Sequence, residues 1–208
     1  MGAVLTKLAS RYTIDRFVTE NGPDPYRILI SCILSLRTKD EVTYPATARL
    51  FEKASDPRGM SALTEGVIAK TIYPVGFYRT KAKHIRAISK LLLTRHDGRV
   101  PAAIDELLEL PGVGRKTANL TITLGFGMPG ICVDTHVHRI ANRMGWVATK
   151  SPDDTEAALR RTLPKRFWIP INETLVRHGQ QICKPLSPLC SSCVVLRSCP
   201  RVGVLRHR

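Results

Sequence analysis

The sequence predicts an all-α fold, on three observations. Apolar residues recur at helical spacing along nearly the whole chain. No set of strands bounded by hairpin turns interrupts them. Helix starts and stops are marked by Pro, Gly and Asp at the places where the apolar period breaks. Leu5, Leu8 and Tyr12 mark a first helix, and Gly22-Pro23-Asp24-Pro25 ends it and opens a buried one, in which Ile28, Leu29, Cys32, Ile33 and Leu36 recur. Thr43 is expected to cap the next helix, because Pro45 is tolerated in a first turn. Leu63, Val67 and Ile72 predict a short helix. A basic helix follows from Arg79, with Ile85, Ile88 and Leu92 on its apolar face. Ile104, Leu107 and Leu108 belong to another, closed by Pro111-Gly112, and further helices are expected after Asp134, Pro152 and Phe167. Leu120-Thr121-Ile122-Thr123-Leu124 alternates with period two and is rich in β-branched residues, so pattern alone reads it as a strand.

The chain has 208 residues, 43% of them apolar, which excludes a disordered chain and suffices for one ordinary domain or two small ones. Ile28–Leu36 is the longest apolar stretch near the N-terminus, too short to span a bilayer and without the flanks of a signal peptide. A soluble, unexported protein is expected, cytoplasmic and nucleoid-associated in a prokaryote. Lys and Arg number 32 against 17 Asp and Glu, a net charge of +15, and an excess of that size points to a polyanion. Nucleic acid suits it better than a membrane surface, since no strongly amphipathic cationic terminus stands out. The excess is densest at residues 139–208, with 13 basic and 4 acidic side chains. A second concentration comprises Arg79, Lys81, Lys83, Arg86, Lys90, Arg95 and Arg99, with Asp97 as the opposing charge. The bland reading of this run is a solvated helix face.

Cys183, Cys190, Cys193 and Cys199 form a C-x6-C-x2-C-x5-C pattern, while Cys32 and Cys132 sit in apolar runs and read as small core residues. With no secretion signal, the clustered set predicts a metal centre rather than disulfides. Four thiolates suit tetrahedral zinc or an iron–sulfur cluster, and the spacing favours iron–sulfur modestly, because only the central pair is as close as zinc pairs usually are.

Leu107 to Asn119 reads LLELPGVGRKTAN, two helices joined by a tight Pro-Gly-Val-Gly turn. Glycines there let the backbone approach a phosphate, and the N–H groups opening the second helix point at it. Such a hairpin grips DNA backbone without reading sequence. Alone, it reads first as an ordinary helix–helix turn. LPGVGRKTAN, then VDTHVHR at residues 133–139, then the four-cysteine tail occur in an order and at spacings that resemble the endonuclease III family of helix–hairpin–helix DNA glycosylases of base-excision repair. The resemblance runs from about Pro25 to Pro200.

The resemblance implies a two-lobed all-α protein with its DNA site in the cleft between lobes. One lobe is a six-helix bundle at 24–138; the other combines residues 1–23 with 139–208 and holds a 4Fe-4S cluster on Cys183, Cys190, Cys193 and Cys199, mainly as a structural and DNA-contacting element. It also overrules the strand reading of Leu120–Leu124. Lys116 matches the family's catalytic lysine. Excising a base and then breaking the strand needs a nucleophile that attacks the sugar C1′ and stays attached as an imine, and the positive helix end and Arg115 beside it disfavour the unreactive ammonium. Asp134 matches the catalytic aspartate, able to stabilise the electron-deficient sugar, and it suits equally the N-cap of the helix beginning near Thr135. No chemical role is assigned to His136 or His138. Flipping the target base needs side chains to fill the gap. Phe77 matches the bulky apolar residue that does so, with core packing as its alternative. Arg37, in Ser35-Leu36-Arg37-Thr38-Lys39-Asp40, stands where the family has Gln. Lys81 and the hairpin residues Pro111, Gly112, Val113, Gly114 and Arg115 complete the expected DNA-binding set.

The expected function is a monomeric bifunctional glycosylase with AP lyase activity, removing oxidised pyrimidines from double-stranded DNA. The runners-up are a monofunctional thymine or adenine mismatch glycosylase, which would lack Lys116, and a non-enzymatic DNA-binding redox module, which would be expected to have lost Lys116 or Asp134. The adenine enzymes carry a Glu where this chain has Cys32.

Overall fold

The computed structural model describes residues 1–12 and 22–208, and among them it is helical with no strand. They divide into two units, residues 22–128 and residues 1–12 with 129–208. Ile131, Val133 and Val137 are buried in the core of the second unit. The segment up to His138, read from the sequence as the end of the first lobe, therefore packs with the cysteine-bearing unit. Where the first helix ends and the next segment begins falls partly at residues 13–21, outside the described residues; α1 itself spans Gly2–Ala9.

The first unit is organised by α2 (Pro25–Ser35), on which every residue from Ile28 to Leu34 is buried. Asp24 starts it by accepting from the backbone N–H of Tyr26 at 2.8 Å and of Arg27 at 3.3 Å, with Pro25 in the first turn where its missing N–H costs nothing. Each fully buried Leu or Ile contributes roughly 1.5–3 kcal/mol. The next helix, α3 (Asp40–Lys53), corrects the expected cap at Thr43. It begins after Lys39 and carries Pro45 inside, while Thr43 is buried and its hydroxyl donates back to the Lys39 carbonyl at 3.1 Å. Acidic Asp40 and Glu41 at the positive helix end favour the earlier start.

Two short helices stand where one was expected: α4 (Pro57–Ala62), capped by Asp56, and α5 (Glu65–Ile72), capped by Thr64. The basic helix is α6 (Tyr78–Arg95), with Ile85, Ile88 and Leu92 fully buried. The helices α7 (Ile104–Leu108) and α8 (Arg115–Leu120) flank the Pro-Gly-Val-Gly turn. Beyond α8, residues Thr121–Gly125 continue as a wider π-helical turn, not a strand. Thr121 and Thr123 donate their hydroxyls to the carbonyls of Thr117 at 2.9 Å and Asn119 at 2.8 Å, which lets β-branched residues sit in a helix by occupying carbonyls on the preceding turn.

In the second unit α1 packs against α11 (Pro170–Gln181), which also packs on α9 (Thr135–Arg143); α10 (Pro152–Thr162) packs on α9. Residues 182–208 form no α-helix, only short 3-10 turns around the cysteines. No helix among the described residues is long and apolar enough to cross a membrane.

Candidate active site and cysteine pocket

In the hairpin, Leu110 and Val113 are buried in the bundle core and pin the turn from below. The Val113 side chain thus anchors the hairpin in the bundle core, which leaves its backbone as what it can offer to DNA. Gly112 has φ +78, and a Cβ there would overlap the His84 imidazole of α6, so both conformation and space require glycine. Gly114, the residue before α8, has an ordinary φ of −102, and a Cβ there would meet nothing within 4 Å. The protein's own packing therefore does not require glycine at 114, which leaves its backbone open to close approach. Arg115 and Lys116, the first two residues of α8, are both exposed. His84 was missed in the sequence, where nothing but its position within the basic run marks it.

A second constellation lies between α2 and α6. Arg37 and Phe77 are both exposed, Phe77 at 63%, which excludes core packing for Phe77. Both have left-handed backbones, φ 52 and φ 57, at an expected cost of about 1 kcal/mol or more each. The Arg37 guanidinium carbon lies 5.7 Å from the Phe77 ring centre, within cation–π reach. Lys81 corrects its expected DNA-binding role. It is 5% exposed, and its ammonium donates to the carbonyls of Leu34 at 2.8 Å and Leu36 at 2.5 Å and to the Thr38 hydroxyl at 3.1 Å. Burial pulls it down to about 8 from the usual lysine value. Arg86, also on the basic run, donates to the Leu63 carbonyl beyond the end of α4. Arg79, Lys83 and Lys90 stay exposed.

In the second unit Asp134 is the N-cap of α9. Its Oδ1 accepts from the N–H groups of His136 at 2.9 Å and Val137 at 2.8 Å, which orients the carboxylate by two charge-assisted bonds. His136 pairs through Nδ1 with Arg139, and His138 through Nδ1 with the Thr155 hydroxyl, both within the same unit.

The four clustered cysteines line one pocket with apolar Ile140, Met144, Leu196 and Val204. None is in a disulfide, and Cys32 and Cys132 are buried apart, as core residues. Arg143 donates to Cys183 Sγ at 3.4 Å, and His178 Nε2 lies 3.8 Å from Cys193 Sγ. Tyr12 bonds the other imidazole nitrogen of His178 at 3.0 Å. Burial pulls His178 down to about 4, aided by the charges of Arg11 and Arg139, which keeps the imidazole neutral. Burial pushes the thiols of Cys190, Cys193 and Cys199 up. Among the described residues no three His, Cys, Asp or Glu side chains are arranged around a single metal ion. Four soft donors on one apolar pocket, with N–H groups directed at sulfur, fit an iron–sulfur cluster.

Residues 30–165 match the HhH-GPD superfamily of base excision DNA repair proteins. Over 176 residues the chain is 48% identical to endonuclease III of Thermotoga maritima, covering 85% of this chain and 83% of that protein. Two solved structures, a trapped endonuclease III–DNA covalent intermediate in an estranged-adenine complex and a non-covalent endonuclease III–DNA complex, each match with a TM-score of 0.84 at 33% identity, over 96% of this chain and 93% of theirs. Helices joined by the Pro-Gly-Val-Gly hairpin, with this match, define a helix–hairpin–helix base-excision repair protein, as the sequence resemblance implied. Within that class the chain belongs to the endonuclease III family: it is a DNA glycosylase with AP lyase activity.

Proposed function

We propose that this glycosylase removes oxidised pyrimidines from duplex DNA and cuts the strand by β-elimination, with Lys116 as the nucleophile. The observation that supports this most directly is the placing of an exposed lysine one residue past the start of α8, beside a backbone turn left open at Gly114. The covalent intermediate trapped in the related endonuclease III is the species such a lysine would form. Lys116 Nζ bonds to C1′ as the C1′–N bond breaks, and the base leaves with the bonding electrons and takes up a proton. The C1′–O4′ bond then opens, O4′ leaving as a hydroxyl with a proton, to give the iminium, which acidifies C2′–H; loss of that proton expels the 3′ phosphate, and water then hydrolyses the imine and frees the lysine. Asp134 stabilises the positive sugar from the far end of its cap bonds. Gly112, Gly114 and Arg115, with Pro111, hold the phosphate backbone, and Arg37 and Phe77 fill the space of the extruded base.

A 4Fe-4S cluster on Cys183, Cys190, Cys193 and Cys199 is the proposed cofactor; when bound it would tie the tail to α9 and α11 and take no part in the chemical steps. The protein is proposed to act as a monomer, in the cytoplasm near the nucleoid if prokaryotic. Retention of Lys116 supports this reading over a monofunctional mismatch glycosylase. Borohydride should crosslink the wild type to duplexes containing thymine glycol or an abasic site but not to a thymine mismatch, and Lys116→Gln should abolish the crosslink while leaving binding. Undiminished trapping by the variant would overturn the assignment, and wild-type processing of the mismatch alone would move it to the runner-up.

A further inference from the structure

The end of α2 makes a complete set of hydrogen bonds. A helix leaves its last four carbonyls without intrahelical partners. Here the Cys32 carbonyl accepts from the Ser35 hydroxyl at 2.9 Å, that of Ile33 from the Leu36 N–H at 3.4 Å, that of Ser35 from the Thr38 N–H at 3.1 Å, and that of Leu34 from Lys81 of another helix. Lys81 also takes the Leu36 carbonyl and the Thr38 hydroxyl, so all three ammonium donors have acceptors and none is left for a phosphate. A lysine whose ammonium meets only carbonyls and a hydroxyl, and no carboxylate, in these bonds is an unusual use of a nearly buried charge.

Its position gives the reason. The Lys81 backbone N–H donates to the Phe77 carbonyl at 3.0 Å, while its side chain grips the residues on both sides of Arg37. The Thr38 hydroxyl accepts from Lys81 and also from the Gly76 N–H at 3.1 Å. Gly76 and Arg37 meet backbone to backbone, since a Cβ on Gly76 would stand 2.8 Å from the Arg37 carbonyl oxygen. Two left-handed residues with exposed side chains, one on each segment, are thus held on either side of one lock made by Lys81, Thr38 and Gly76.

We propose that Lys81 is a positioning residue for base extrusion, holding Arg37 and Phe77 as one rigid exposed pair by joining the end of α2 to the first turn of α6. The proposal rests on the reading of that pair as the gap-filling element. Without the lock, either residue is free to relax from its left-handed backbone, and the pair loses its shared direction.

The test uses the full-length protein and a duplex with 2-aminopurine opposite a tetrahydrofuran abasic analogue, in which filling of the gap changes the stacking and fluorescence of the orphaned base. Lys81→Met and the milder Thr38→Val should cut the saturating fluorescence change at least threefold and slow single-turnover excision of thymine glycol about tenfold. The salt dependence of binding should keep its wild-type slope, and trapping on single-stranded abasic DNA, which has no base stack to open, should be unchanged. A full fluorescence change in folded Lys81→Met would overturn the proposal, as would a salt slope reduced by about one, the sign of a lost phosphate contact. If Lys81→Met does not fold, a full change in Thr38→Val overturns it. Phe77→Ala separates the two levels of the argument: a normal fluorescence change in that variant would refute the pair reading itself. A reduced change in Phe77→Ala with a normal one in Lys81→Met would refute only the role of Lys81.

Discussion

Among the described residues the bundle unit buries 22 apolar side chains in one cluster, drawn from every helix it contains. The cysteine-bearing unit buries 12, and from residues 182–208 it draws only Val195. Burial secures the bundle, and its hairpin is pinned to that core by Leu110 and Val113. The tail is secured instead by polar attachments: Arg139 donates to the Cys183 carbonyl at 2.9 Å, Arg143 to the carbonyls of Lys184 at 2.7 Å and Pro185 at 2.5 Å, and the four thiols share one pocket. The bundle can be expected to keep its shape unaided, whereas the tail depends on whatever joins its cysteines.

The sharpest way to break this comparison is to remove one thiol. Cys190→Ser should lose the yellow-brown colour and the iron, near four per chain in the wild type, and should open the tail to trypsin at Arg197 and Arg201 by a hundredfold or more. Circular dichroism should show most of the helix signal retained, because the helices of the bundle do not rely on the cysteines. A colourless wild type with stoichiometric zinc, after growth with adequate iron, would refute the cluster. A tail equally resistant in the variant would refute its structural dependence.

The two units also differ in how far their sequence could be read. Periodicity found the apolar faces of α2 and α6, because one buried stripe per helix is a local property. It misplaced Pro45, since the start of α3 is set by Asp40 and Glu41 and by packing of Thr43, Ala46 and Thr47. It read Leu120–Leu124 as a strand, since hydroxyls bonding back to their own helix leave no trace in the pattern. Net charge pointed to the right partner but overcounted the cations that face it. Arg49, Lys81 and Arg86 in the bundle, and Arg139 and Arg143 in the other unit, donate to carbonyls near helix ends. No composition separates a lysine for phosphate from a lysine for a helix end, because the difference lies in which distant carbonyl meets it. Lys116, Asp134 and the four clustered cysteines were singled out by their motifs, and their roles are the ones proposed above.

A smaller effect sharpens the comparison at Asp134, which lies in the cysteine-bearing unit but is proposed to serve the chemistry assigned to the bundle. Asn caps helices as well as Asp does, so Asp134→Asn should keep both bonds to His136 and Val137 and shift stability by no more than a few tenths of a kcal/mol, while slowing base removal about a hundredfold. Asp134→Ala should lose the cap as well, costing about 1 kcal/mol by denaturant titration. If Asp134→Asn excises at the wild-type rate, the carboxylate is a cap and nothing more.

The smallest effect is expected at Arg37, on the turn held by Lys81, Thr38 and Gly76. The family's Gln both donates and accepts hydrogen bonds, whereas Arg only donates and keeps its charge at any relevant pH. Facing an orphaned base, it should favour guanine, whose O6 and N7 accept together, over adenine, whose edge mixes donor and acceptor. Arg37 is exposed and already lies near the Phe77 ring, so the contact is partly solvated, and the preference should be about fivefold, or ~1 kcal/mol. Single-turnover excision of one oxidised pyrimidine opposite G and then opposite A measures it. Arg37→Gln leaves the backbone requirement at this position in place and should slow only the reaction opposite G. An equal loss opposite both bases, with a weaker salt dependence of binding, would make Arg37 a phosphate contact, and the rigid turn would then orient the DNA strand and leave the opposite base unread.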